Sequence, residues 1–120
     1  MPDQNPKIEL CDKSGKTCLK FTFKGELTER DAINAIDEWQ TAFNSIPQEK
    51  ITLIWDCLEM TSYESEARIL WQDAIKRMKK QIDTIWLISD SNIIKLGARI
   101  ISIMTSLQIS AVDSESKIIL

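Results

Sequence analysis

The sequence predicts one α/β domain built on a single mixed β-sheet, and three patterns predict it. Short alternating runs open the chain, two largely apolar runs follow further along it, and three stretches carry apolar residues at helical spacing. Alternation of period two marks strands with one wet face, continuous apolar runs mark strands covered on both faces, and 3.6-residue spacing marks helices.

Residues 7–12 and 17–24 form the opening pair, joined by Lys13-Ser14-Gly15-Lys16, a polar loop with the glycine a hairpin turn needs. In the second run Leu19, Phe21 and Phe23 point one way and Lys20, Thr22 and Lys24 the other, the pattern of a half-buried antiparallel strand. Thr28 stands three residues ahead of Asp31 as a variant capping box, and Ala32, Ile33, Ala35, Ile36, Trp39 and Phe43 follow at helical spacing. A first helix is expected over residues 28–44, ended by Pro47. Residues 51–55 read as a strand buried on both faces and ended by Asp56, with a loop over residues 58–61.

Ala67, Leu70, Trp71, Ala74, Ile75 and Met78 make the stripe of a second helix, whose last turn is rich in lysine and arginine, suited to the negative end of its dipole. Residues 84–88 make another buried strand, and Ser89-Asp90-Ser91-Asn92 offers N-caps to a third helix over residues 92–106. Residues 108–112 form a last short strand before the apolar end Ile118-Ile119-Leu120. The order is β-β-α-β-α-β-α-β, an antiparallel pair followed by units that form right-handed parallel crossovers. A mixed sheet flanked by helices, in one domain over residues 1–120, is expected.

Composition narrows the function. With 120 residues, 43% hydrophobic and 28% charged, the chain closes a core without metal or disulfide staples. Its 15 basic and 18 acidic residues give a net charge of −3 with no basic face, which argues against a nucleic-acid partner. Residues 1–7 are polar and lack the apolar core of a signal peptide. The apolar stretch 93–107 is broken by Lys95, Arg99 and Ser102 and falls short of the ~20 residues that span a bilayer. A cytoplasmic location is expected, and Cys11, Cys18 and Cys57, neither an even set nor a C-x-x-C pair, suit a reducing compartment. Cys11 and Cys18 are placed to face each other across the hairpin, so a redox pair stands as the alternative to ordinary thiols. Histidine is absent, no glycine-rich phosphate loop occurs, and no nucleophile has a visible base. Binding, without catalysis, cofactor or resident metal, is the expected mode of action.

The element order, with Asp56 ending the third strand and a serine opening the next helix, resembles the STAS family. Its members include bacterial antagonists of anti-sigma factors and the cytoplasmic tails of sulfate transporters. In that family an Asp-Ser-Ser-Gly-Leu-like stretch begins the helix after the strand-end aspartate, and Glu64-Ser65-Glu66-Ala67-Arg68 holds that place here. Ser65 falls where the family's phosphorylated serine lies, while Glu64 replaces the aspartate, Glu66 the second serine and Ala67 the glycine. Residues 85–113 are similar to a divergent STAS-like group that shares its fold with CRAL-TRIO lipid-transfer domains. The resemblance implies a bacterial regulatory module that binds a protein, either an anti-sigma-like kinase or a second copy of itself as a homodimer. The alternative it implies is a carrier of a small apolar, lipid-like ligand.

Candidate sites follow from both readings. A phosphate on Ser65 would place about two negative charges at the positive end of the second helix, opposed by Glu64 and Glu66. Plain helix capping by Ser65 and Glu64 is the competing role. Asp56 lies at the carboxyl end of a strand, where open α/β sheets place their clefts, and is expected to meet Ser65 at one rim. With Glu59, Ser62, Glu64 and Glu66 it forms a candidate partner-binding or pocket rim, acidic enough to raise a weak magnesium site against a simple strand-ending turn. The third helix, with Ile93, Ile94, Leu96, Ile100, Ile101, Ile103, Met104 and Leu107, is apolar nearly all round, although packing on a sheet needs only a stripe. Its surplus calls for cover by the chain end, a second subunit, a lipid-like ligand or a membrane surface. Trp71, Ile94, Ile101 and Met104 are the candidate apolar-ligand or interface residues. Trp39, Trp55, Trp71 and Trp86 are expected in the core, with Trp71 placed to line a pocket.

Overall fold

The structure, a computed structural model, describes residues 4–120. The opening hairpin pairs β1 (Lys7–Lys13) with β2 (Lys16–Leu27) in antiparallel register, with Cys11 opposite Cys18. Ser14 and Gly15 make its turn with φ of 53° and 79°, the left-handed pair that a tight two-residue hairpin demands. Beyond it β3 (Ile51–Tyr63), β4 (Ile82–Ile88) and β5 (Ile109–Val112) add in parallel, so the sheet order β1-β2-β3-β4-β5 follows the chain.

Each crossover therefore steps in the same direction, and right-handed steps in one direction carry every helix to the same side. α1 (Glu29–Ser45), α2 (Ser65–Met78) and α3 (Asn92–Thr105) share a core with Leu19, Phe21, Phe23, Leu53, Ile85 and Leu87. The capping box at α1 forms as its sequence predicts: Asp31 N–H donates to Thr28 Oγ1 at 3.1 Å, and Thr28 N–H to the Asp31 carboxylate at 3.2 Å. Trp39 is fully buried on the helix side, its ring 5.3 Å from Phe21, 6.0 Å from Phe43 and 5.3 Å from Trp71.

The opposite face holds a smaller cluster of Cys18, Ile54 and Ile88, on which Val112, Ile118 and Leu120 pack. The chain end thus crosses the sheet on the side away from the helices and does not cover α3, contrary to one expectation. The reason is that Ile54 and Ile88 alternate with residues already covered by helices, and would otherwise be bare. Trp86, paired in register with Ile54, points to this same side and is only half-buried, so three of the four tryptophans, not all, enter the core.

A 3₁₀ turn over Glu115–Lys117 fastens the tail: Glu115 accepts from Lys13 Nζ at 2.5 Å and from Lys20 Nζ at 2.6 Å. These hydrogen bonds hold the Glu115 carboxyl below the usual carboxylate range, and the bond to Glu115 raises Lys20. A carboxylate with a depressed folded-state pKa stabilises above its ordinary pKa, and that contribution is lost as pH falls through the folded value. Glu115→Gln is therefore expected to lower stability at neutral pH by under about 1 kcal/mol, since the group is partly solvent-screened. Urea unfolding should show the two proteins converging once the medium is acid enough to protonate Glu115 in both states.

Candidate functional site

The strand expected to stop at Asp56 continues to Tyr63, and the loop expected over residues 58–61 is part of it. Its pairing with β2 steps from Thr22↔Asp56 to Lys24↔Glu59, and from Gly25↔Met60 to Glu26↔Ser62. β3 therefore carries one extra residue at each of two points, and such bulges re-aim the side chains that follow. At the first, Leu58 N–H donates to Asp56 Oδ1 at 3.3 Å. At the second, the partner strand bends through Gly25 at φ 60°. The outcome is that Cys57, Met60 and Tyr63, three residues apart instead of two, all face the helices and line one cleft.

That cleft opens at the carboxyl ends of β2, β3 and β4, beneath α2 and α3, with a cavity of about 60 Å³. Small-molecule sites commonly lie at this end of open α/β sheets, although at ~300–1,000 Å³ they are larger than this cavity. Its walls are apolar, with Phe23, Trp55, Trp71, Leu87, Ile94 and Ile101 prominent among them. Tyr63 closes one side by lying against α3, where Gly97 makes room: a methyl there would stand 2.6 Å from the Tyr63 hydroxyl oxygen.

Polar groups in the lining are few. Arg68, half-buried, donates to Gln72 Oε1 at 3.3 Å and forms no ion pair among the described residues. The Trp55 indole N–H is buried without an acceptor. Burial, and then the charge of Asp56, pushes the Cys57 thiol up, so it stays protonated and unreactive at neutral pH. The cleft thus sets apolar walls beside one cationic side chain.

Of the residues singled out from the sequence, Trp71, Ile94 and Ile101 line this cleft. Met104 does not; it is exposed on the outer side of α3 with Ile93, Leu96 and Ile103. Asp56 sits in mid-strand, 3.9 Å from Lys20 Nζ, while Ser65 begins α2 beyond Tyr63. The seven strand residues between them, at ~3.3 Å each, hold the two apart, so they do not share a rim. Glu64 spends its carboxylate on the Glu29 N–H at 2.7 Å, capping α1, and no side chain caps α2. This displaces the expectation that Ser65 and Glu64 cap the second helix. Ser65, Glu66 and Glu59 are exposed and Ser62 is half-buried. Asp56, Glu59 and Glu64 are not gathered into a cation-binding group among the described residues.

Cys11 and Cys18 face each other as free thiols, and burial, reinforced by Cys11, raises Cys18 to about 11. A thiol so protonated is a poor redox nucleophile. Met60, Tyr63, Arg68 and Gly97 escaped sequence reading. The only signal for the first two was the three-residue recurrence from Cys57, which matches neither strand nor helix periodicity.

No protein-family model matches the sequence, and no curated protein matches it. The structure is similar to that of a DUF3478-family protein with a SpoIIAA-like fold from Shewanella loihica PV-4. The TM-score is 0.77 at 15% identity, over 97% of this chain and 92% of the other. The chain has the SpoIIAA-like, STAS-type fold. A second SpoIIAA-like structure, the anti-sigma factor antagonist SpoIIAA in its unphosphorylated form, matches at TM-score 0.66 and 13% identity over 92% of both chains. Among the described residues of this SpoIIAA-like fold, no helix is long and apolar enough to cross a membrane.

Proposed function

We propose that the chain is a non-catalytic, cytoplasmic binding module that holds a small apolar ligand in the cleft between α2, α3 and the sheet. The observation that carries this reading is the cleft itself: almost wholly apolar walls at the carboxyl ends of parallel strands. Water there would find few partners, whereas an alkyl or isoprenoid chain would exchange water for wall contacts at about 25 cal/mol for each Å² buried. Native mass spectrometry of freshly purified protein is expected to show one bound small molecule per chain, removed by organic extraction. Protein of ligand-free mass that also fails to bind added dodecanoate or dodecanol would end this reading.

A second reading, regulation by protein binding, is favoured by Ser65. It is exposed in the first turn of α2, whose amide end carries no side-chain cap, and helix N-termini with open N–H groups accept phosphate. The likeness to an anti-sigma factor antagonist supports the same reading, with an anti-sigma-like kinase or a second copy of the chain as partner. Because Ser65 is exposed and caps nothing, Ser65→Ala is expected to change stability by less than about 0.5 kcal/mol. Any difference in partners retained by Ser65→Ala and Ser65→Glu in a pull-down from source cells then reports on binding alone. Identical retention by both variants and the wild type would discard the phosphoswitch.

A further inference from the structure

We infer that the ligand of the cleft is a single-chain amphiphile whose anionic head, a carboxylate or phosphate monoester, pairs with Arg68; this rests on the cleft being a ligand site. Arg68 is the one charged residue in an otherwise apolar lining. Every ion pair among the described residues is made by a lysine, and Arg68 makes none.

The residue best placed to neutralise it is Glu64, four positions ahead, the spacing and order in which helical acid–base pairs form. Glu64 is committed elsewhere, to the Glu29 N–H at 2.7 Å. Arg68 is left with the neutral amide of Gln72 at 3.3 Å, one contact for a group with five N–H donors. A half-buried guanidinium beside apolar walls is costly without a counter-charge, and its planar fork matches the two oxygens of a carboxylate or phosphate. The lining contains no acid to repel an anion. With its head at Arg68, the alkyl tail would lie along Trp71, Ile94 and Ile101, the walls parting to widen the cavity of about 60 Å³ between them.

The test is a tryptophan-fluorescence titration with dodecanoate, dodecyl phosphate and dodecanol, all below their micelle-forming concentrations. The wild type is expected to bind at least one of the two anions about tenfold or more tighter than dodecanol, the usual worth of a charged hydrogen bond. Arg68→Gln should lose that preference while keeping its affinity for dodecanol, and Arg68→Lys should keep part of it through its remaining charge. The tighter anion identifies the head group. Equal affinity of the wild type for all three compounds, or a preference that survives Arg68→Gln, would overturn the pairing while leaving the cleft as an apolar site. If none of the three binds, the cleft itself is not a ligand site and the inference falls with it.

Discussion

Trp39→Ala is expected to lower the unfolding free energy by about 3–5 kcal/mol, the usual cost of removing a large aromatic from a core. Trp39 has no exposed surface and is in ring contact with β2 through Phe21, with α1 through Phe43 and with α2 through Trp71. Its loss opens a cavity where the helix layer meets the sheet, and a domain of this size has only ~5–15 kcal/mol in total. The indole N–H of Trp39 is buried without a partner, a feature that itself costs on the order of 1–3 kcal/mol. Trp39→Phe, which removes that donor along with some volume, is therefore expected to cost far less than Trp39→Ala. Urea midpoints at unchanged slope measure both, and a loss under about 1 kcal/mol for Trp39→Ala would contradict the described packing.

The second large effect is on binding. Ala98 lies on α3, nearly buried, with its methyl in the cleft wall. Phenylalanine there would fill the space proposed for the ligand, so Ala98→Phe is expected to weaken dodecanoate and dodecanol alike by about tenfold or more. Stability should fall by no more than about 1–3 kcal/mol, the usual cost of overpacking, since the ring exceeds the cavity it enters. Met104→Ser, on the exposed side of the same helix, serves as the control and should leave both affinities unchanged. Loss of the two ligands together separates cleft filling from the head-group effect of Arg68, which concerns the anions alone.

What was legible in the sequence rests on local signals. Ser14-Gly15 announces the hairpin, Thr28 with Asp31 announces α1, and the apolar runs at 51–55 and 84–88 announce strands covered on both faces. The element order, and with it the SpoIIAA-like fold, followed from these. Three features were hidden because they depend on residues distant in sequence or on broken periodicity. Two bulges convert the alternation of β3 into a three-residue step, so Leu58, Glu59 and Thr61 read as a loop and Asp56 as a strand end. The path of the tail depends on which sheet face still had bare residues, namely Cys18, Ile54 and Ile88. The freedom of Arg68 depends on Glu64 reaching across to Glu29, a bond no spacing rule suggests. Trp71, Ile94 and Ile101 were accessible to sequence reading because each lies on an apolar helix stripe; Met104 shared the composition of that helix but not its inward side.

The four indole N–H resonances offer the most direct measurement of where a ligand goes. Trp55 and Trp71 line the cleft, Trp39 lies deeper in the core, and Trp86 is on the opposite face of the sheet. In a proton–nitrogen spectrum recorded through a dodecanoate titration, the Trp55 and Trp71 signals are expected to shift together with the Gly97 and Tyr63 amides, while Trp86 stays in place. Shifts confined to Trp86 and the tail, or no shift in any indole at saturating ligand, would contradict a binding site between α2, α3 and the sheet.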